Sequence, residues 1–297
     1  MAYLIQVPAL TPIGPDNYLA DFLENGDPYD DSCVVEYGAK LGAVASNKQA
    51  LIDRINAEVG HWQDGFSTMY TQGSMLLAGE RGEDAYLRVN FWPAIAQDAP
   101  DRAKVSLVYS YGIPHDHGFS FVTTNYFGPG YITDLYDYDY TTTRGVVGEG
   151  VHLTPAGTVT LSDGVGLYFK AGRDVHVQHP PSALTVSLNL MIYRKGDRSR
   201  DQFYFDLTEQ RVSSFAAGAL CVRRRELIKL AAIAGDATTT DILVGLAASY
   251  PCRTTRRAAV AELLSNRRVS PIDFCKTLVD DTDPVIREIA RSASAQF

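Results

Sequence analysis

The chain has 297 residues, of which 45% are hydrophobic and 21% charged, enough apolar material for one large domain or two smaller ones. Its four cysteines, Cys33, Cys221, Cys252 and Cys275, form no CxxC pair, which excludes a disulfide-built fold and argues against a cysteine zinc site. The net charge of −8 is uneven: residues 213–297 carry 12 Lys/Arg against 9 Asp/Glu and the rest 15 against 26, so the acidic body argues against a nucleic-acid surface.

The opening segment MAYLIQVPAL has no basic stretch followed by a long apolar run, so no signal peptide is expected there. No segment reaches the roughly 18 apolar residues needed to span a membrane, and a soluble, reducing, cytoplasmic setting is expected. Residues 1–82 mix loops with one clear helix, at 47–62. There Leu51, Ile55, Val59 and Trp62 share a face at helical spacing, and Ser46 or Asn47 is the N-cap.

Residues 83–212 read as β. AYLRVNFW, KVSLVYSYG, FSFVTTNYF, GTVTLSDG, VGLYFKAG, DVHVQH, LTVSLNLMIY and QFYFDL alternate apolar and polar residues between turn signals. Seven or eight such strands predict an antiparallel sandwich or barrel. Residues 213–297 read as helices with short polar breaks. Arg225, Arg257 and Arg287 recur at near-equal intervals, and the Asp283-Pro284-Val285-Ile286-Arg287 turn resembles a HEAT repeat. This segment is expected either to cap the β domain or to offer a platform for a protein partner or a second copy.

Six histidines are present, and four fall in two short β segments, IPHDHGFSF and RDVHVQHPP. Strand alternation puts His115 and His117 on one face, continued by Phe119, Phe121, Thr123 and Asn125. Two imidazoles at i and i+2 can share a metal, and His176, on a later strand, supplies a third donor. Alternation also groups Tyr86, Arg88, Asn90 and Trp92. On either side of the Gly128-Pro129-Gly130 turn, Tyr126 or Tyr131 could offer a phenol hydrogen bond near the metal, and Asp134 could bind a substrate amine. Arg173 and Arg194 are further carboxylate anchors.

Ile113-Pro114-His115-Asp116-His117, His176, the Ala183-to-Leu190 run and Tyr86-Leu87-Arg88 resemble, in that order, the metal and substrate segments of the cupin family. Within it they are most similar to the thiol dioxygenases such as cysteine dioxygenase. The resemblance covers roughly residues 84–205. It implies an α+β protein: a cupin-type antiparallel β-barrel (double-stranded β-helix) followed by the helical, HEAT-like region. It also implies Fe(II) on His115, His117 and His176, dioxygen as co-substrate, and Arg88 on a substrate carboxylate. Tyr86, Asn90, Phe119, Phe121 and Asn189 would complete the substrate pocket.

The departures shape the expectation. Val122 stands where the family's animal enzymes carry a crosslinking cysteine. The serine–histidine–tyrosine relay would be Ser187, Asn189 and Met191, so only Ser187 survives. These changes favour iron and a small carboxylate or amino-acid-like substrate over thiol oxidation. The competing readings are a 2-oxoglutarate-dependent hydroxylase, a non-catalytic metal- or ligand-sensing module, and a zinc-dependent isomerase. Asp116 has the wrong spacing for the carboxylate ligand of the first, being adjacent to His115.

Overall fold

The computed structural model describes residues 2–60, 67–96, 98–216 and 219–295. Its first strand, β1 (Tyr3–Gln6), is followed by three helices, α1 (Pro15–Asn25), α2 (Asp31–Ser46) and α3 (Lys48–Gly60). Sequence patterning finds only the last of these. Asn47 caps it, its Oδ1 accepting from the Ala50 amide at 3.2 Å. Of the expected apolar face Leu51 is buried, while Ile55 and Val59 are exposed. His61 and Trp62 lie outside the described residues.

The β region contains β2 (Met69–Thr71), β3 (Ser74–Ala78), β4 (Ala85–Trp92), β5 (Ser120–Phe127), β6 (Tyr131–Asp137), β7 (Thr154–Leu161), β8 (Val165–Phe169), β9 (Asp174–Gln178) and β10 (Thr185–Ile192). One expected strand is corrected: KVSLVYSYG contains the helix α4 (Arg102–Tyr109). None of its residues is buried, so no half-buried sheet face enforces the alternation, and Ser110 closes the helix in the left-handed conformation. The strands form a seven-stranded sheet, β1-β8-β5-β10-β4-β3-β2, and a three-stranded sheet, β7-β6-β9. All pairings between these strands are antiparallel.

The large sheet has two dissimilar faces. Leu87 and Val89 of β4, Val122 and Tyr126 of β5, and Val186, Leu188 and Leu190 of β10 pack with Tyr18, Phe22, Val34 and Leu41 of α1 and α2. Tyr86, Trp92, Phe121, Phe169 and Met191, on the other face, pack with Tyr131, Leu135 and Leu161 of the small sheet. The candidate site lies on this second face.

α2 is pinned to the large sheet in two ways. At Gly42 an added Cβ would stand 1.9 Å from the Pro8 carbonyl oxygen, so helix and chain touch backbone to backbone. Gly42→Ala is expected to cost about 1–3 kcal/mol, the range for overpacking, read as a lowered denaturation midpoint. At Asp31 the carboxylate accepts from Tyr168 Oη at 2.8 Å and Arg194 Nη2 at 3.0 Å, and pairs with Lys170. Burial pushes its pKa up, but these bonds outweigh it and hold the carboxyl at about 2. Because the folded value lies below the unfolded value of about 3.9, this stabilisation is present above pH 4 and is lost as pH falls towards 2. Thermal melts of wild type and Asp31→Asn are expected to differ at pH 7 and to converge between pH 4 and 2. This network also places Arg194 away from the inter-sheet face, and Arg173 pairs instead with Asp137 at 2.9 Å.

The chain divides into two compact units, residues 1–138 with 152–197 and residues 139–151 with 198–297. The second contains the hairpin β11 (Phe203–Asp206) and β12 (Arg211–Phe215) and the helices α5 (Leu220–Ala234), α6 (Ala237–Ser249), α7 (Arg253–Ser265), α8 (Pro271–Leu278) and α9 (Pro284–Ser294). The three recurring arginines have different contacts. Arg257 forks onto Asp283 at 2.7 and 2.9 Å, Arg225 pairs with its neighbour Glu226, and Arg287 donates to the Asp281 carbonyl. Residues 139–151 are tied to the same unit by Arg253 on the Thr143 carbonyl, Arg257 on the Gly145 carbonyl and an Arg144–Glu288 pair. Among the described residues no helix is long and apolar enough to cross a membrane.

Candidate metal centre

His115 and His117 precede β5 instead of lying on it. They are positioned by β9: His115 and His176 exchange backbone hydrogen bonds of 3.1 and 3.0 Å, and the Gly172 amide donates to the His117 carbonyl at 3.0 Å. Asp116, between them, is buried and accepts from the Tyr138 hydroxyl, so its carboxylate is engaged away from the imidazoles. The expected i, i+2 pair is therefore delivered by a clamped loop.

The three rings converge through Nε2. His117 and His176 approach at 3.1 Å, as do His115 and His176, and one donor atom from each of the three lies within 4.8 Å of the others. His115 Nδ1 lies 2.8 Å from the Ile113 carbonyl, which can only accept, so Nδ1 carries the proton and Nε2 presents a lone pair. Burial lowers the His115 pKa. Burial first, and then the neighbouring imidazoles, hold His117 and His176 well below the ordinary range, Arg88 adding its charge at His117. The rings are thus neutral at pH 7, the form that ligates.

This arrangement fits a metal ion. Bonds of about 2.1 Å to imidazole put neighbouring nitrogens about 3.0 Å apart in an octahedron and about 3.4 Å apart in a tetrahedron. Among the described residues no carboxylate or thiol joins the group. Three imidazoles suit iron, zinc, copper or nickel.

The histidines form one wall of a cavity of about 300 Å³ that opens between the sheets. Arg88, Asn90 and Trp92 enter from β4, Asn189 from β10, Phe121 from β5, Tyr131 from β6 and Gln178 from β9. The pairing register sets this gathering: Arg88 faces Asn189 and Asn90 faces Ser187 across β4 and β10. Ser74 donates to Asn90 Oδ1 at 3.0 Å. The Arg88 guanidinium lies over the Phe119 ring at 5.9 Å, and Phe119 in turn packs on His117 at 4.8 Å. Phe121 stacks on Phe169 at 4.7 Å, and Phe169 contacts His176 at the same distance. Burial pushes the Tyr131 phenol up to about 12 against a hydrogen bond with Gln178, so it keeps its proton at neutral pH.

Several expected residues are not brought to the cavity. Tyr126 lies on the opposite face of β5 and donates to the Asn47 carbonyl at 2.6 Å. Asp134 binds His179 at 2.7 Å and Thr158 at 2.6 Å, outside the cavity lining. Tyr86 stacks on Tyr193 at 6.0 Å in the inter-sheet core. Ser187 sits behind the lining, accepting from Trp92 Nε1 at 2.9 Å and from the Asn189 amide at 3.3 Å. Phe119 backs the site without lining it. Sequence reasoning passed over Gln178, although its parity with His176 on β9 is a readable signal, and also the mouth formed by Thr71–Gly73 and Val108–Ser110.

No protein-family model matches the chain, and no curated protein matches it. Among solved structures, it is similar to a mutant of salicylate 1,2-dioxygenase from Pseudoaminobacter salicylatoxidans at 9% identity and a TM-score of 0.28, over 49% of this chain and 34% of that one. It is also similar to a vicilin from Solanum melongena, at 12% identity and TM-score 0.27, over 61% of this chain and 41% of the other. A DMSP lyase from Ruegeria pomeroyi matches at 13% identity and TM-score 0.23, over 64% and 78%. The chain thus spans about a third of the dioxygenase and two fifths of the vicilin, and scores this low carry no inference about activity.

Proposed function

We propose that this protein is a mononuclear non-haem iron(II) oxygenase with a cupin-type barrel, acting with dioxygen on a small carboxylate. The observation that carries the reading is the convergence of three neutral imidazoles on one wall of a cavity that also holds Arg88. His115, His117 and His176 would hold the metal, which when bound supplies Lewis acidity and one-electron redox chemistry with dioxygen.

The remaining roles fall to the chain's own side chains. Arg88 holds the substrate carboxylate in a two-pronged grip. Asn90, Asn189 and Gln178 offer uncharged donors and acceptors that orient the rest of the molecule. Tyr131 Oη keeps its proton and donates a hydrogen bond to an anionic oxygen in the cavity. Phe119, Phe121 and Phe169 keep water from the imidazoles. Ser187 fixes the Trp92 indole, a positioning role.

The 2-oxoglutarate reading is less well supported, because that class uses a carboxylate ligand and Asp116 is engaged by Tyr138. The test is metal analysis of the purified protein combined with oxygen uptake against a panel of carboxylates, with and without 2-oxoglutarate. Bound iron and carboxylate-dependent uptake are expected. Uptake that requires 2-oxoglutarate would transfer the chain to the hydroxylase class. Bound metal with no uptake from any carboxylate would favour a sensing module.

A further inference from the structure

The charge of the cavity narrows the class of carboxylate, on the assumption that the carboxylate reading above holds. Among the described residues lining it there is no aspartate or glutamate, and Arg88 brings a fixed positive charge. The acidic groups nearest in sequence to the lining histidines are committed elsewhere. Asp116 accepts from Tyr138, and Asp174 accepts from the Lys170 amide at 2.7 Å. Asp134, the residue expected to take a substrate amine, binds His179 and Thr158.

An α-ammonium group carried into this space would exchange its hydration for uncharged amide, hydroxyl and aromatic side chains with no carboxylate partner among the described lining residues, and with Arg88 and a bound cation as its charged neighbours. A carboxylate meets two complementary charges in the same place, and an apolar body finds Trp92, Tyr109 and Phe121. We infer that the site takes carboxylates that lack an ammonium group and discriminates against zwitterionic α-amino acids.

The test uses matched pairs that differ only by the α-amino group: 3-phenylpropionate with phenylalanine, 3-(4-hydroxyphenyl)propionate with tyrosine, and butyrate with 2-aminobutyrate. Each is titrated calorimetrically into the zinc-loaded protein, zinc being redox-inert and compatible with three imidazoles. The amine-free acid is expected to bind at least about tenfold tighter within any pair that binds. Equal affinity, or tighter binding of the amino acids, would overturn this inference and leave the carboxylate reading standing. Binding of neither member of any pair, at full zinc occupancy, would overturn both. If zinc does not load, the metal reading fails separately. The same pairs are then titrated into the metal-free protein, where Arg88 and the uncharged lining persist and the same criterion applies.

Discussion

His176→Ala protein is expected to emerge from purification folded and nearly free of metal. The ring contributes one of three converging nitrogens, and no carboxylate or thiol among the described residues stands by to replace it. Removing a group that merely supports a ligand typically costs 10–100-fold in metal affinity, so losing the ligand itself should cost more than about 100-fold. The sheets should survive. β9 is held to β6 by backbone pairing from Asp174 to Gln178, which does not depend on the imidazole. His117→Ala should behave alike. His179→Ala is the control, because that ring is bonded to Asp134 and should retain full metal. Metal content by mass spectrometry, with circular dichroism on each variant, decides the matter. Full occupancy in His176→Ala would remove the three-histidine centre.

Substrate affinity should fall roughly ten- to a hundredfold in Arg88→Ala, because a charge-assisted hydrogen-bonded pair contributes about 1.5–3 kcal/mol. Arg88→Lys should also be impaired, since a point charge cannot reproduce the planar fork. The side chain projects from the middle of β4, flanked in register by Asn189 of β10 and Leu76 of β3, so truncation leaves the ladder intact. Calorimetry on the three proteins at matched metal occupancy gives the result. Unchanged affinity in Arg88→Ala would dismiss the carboxylate. Arg173 and Arg194 cannot take over, since each is engaged by an aspartate away from the cavity.

The parts of the fold that were legible are those where local pattern and tertiary burial agree. On β4 and β10 the period-two alternation survives because both faces are packed, so the grouping of Arg88, Asn90 and Trp92 reads directly from the sequence. The same rule separates Tyr126 from the cavity, since it has the opposite parity to Phe121 on β5. KVSLVYSYG misleads for the converse reason: it alternates like a strand, but its part that forms the helix Arg102–Tyr109 has no buried residue, so no packed face holds it extended. α1 and α2 escape notice because their buried residues include Tyr18, Tyr37, Gly38 and Gly42, small or polar-tipped groups with a weak periodic signal. The histidine pair was legible from spacing alone. The clamp of Asp116 on Tyr138 was not, because it depends on a contact between residues 22 apart.

The short segment 139–151 leaves the small sheet between β6 and β7 and belongs to the unit otherwise made of residues 198–297. On a ribosome this imposes an order of events. The Thr143 carbonyl waits for Arg253, 110 residues later, and Arg144 for Glu288, 144 residues later. At about 5–20 residues per second, the first of these delays lasts roughly 5–20 s. Between the synthesis of His176 and that of Gln210 and Val212, whose carbonyls accept from the Val151 and Gly148 amides, the segments that carry His115, His117 and His176 already exist, whereas the loop between them has not yet met these partners. The nascent chain therefore passes through a stage in which the imidazole cluster can assemble while residues 139–151 are still an open loop. Assembly of the candidate metal centre can in this way precede completion of the second unit.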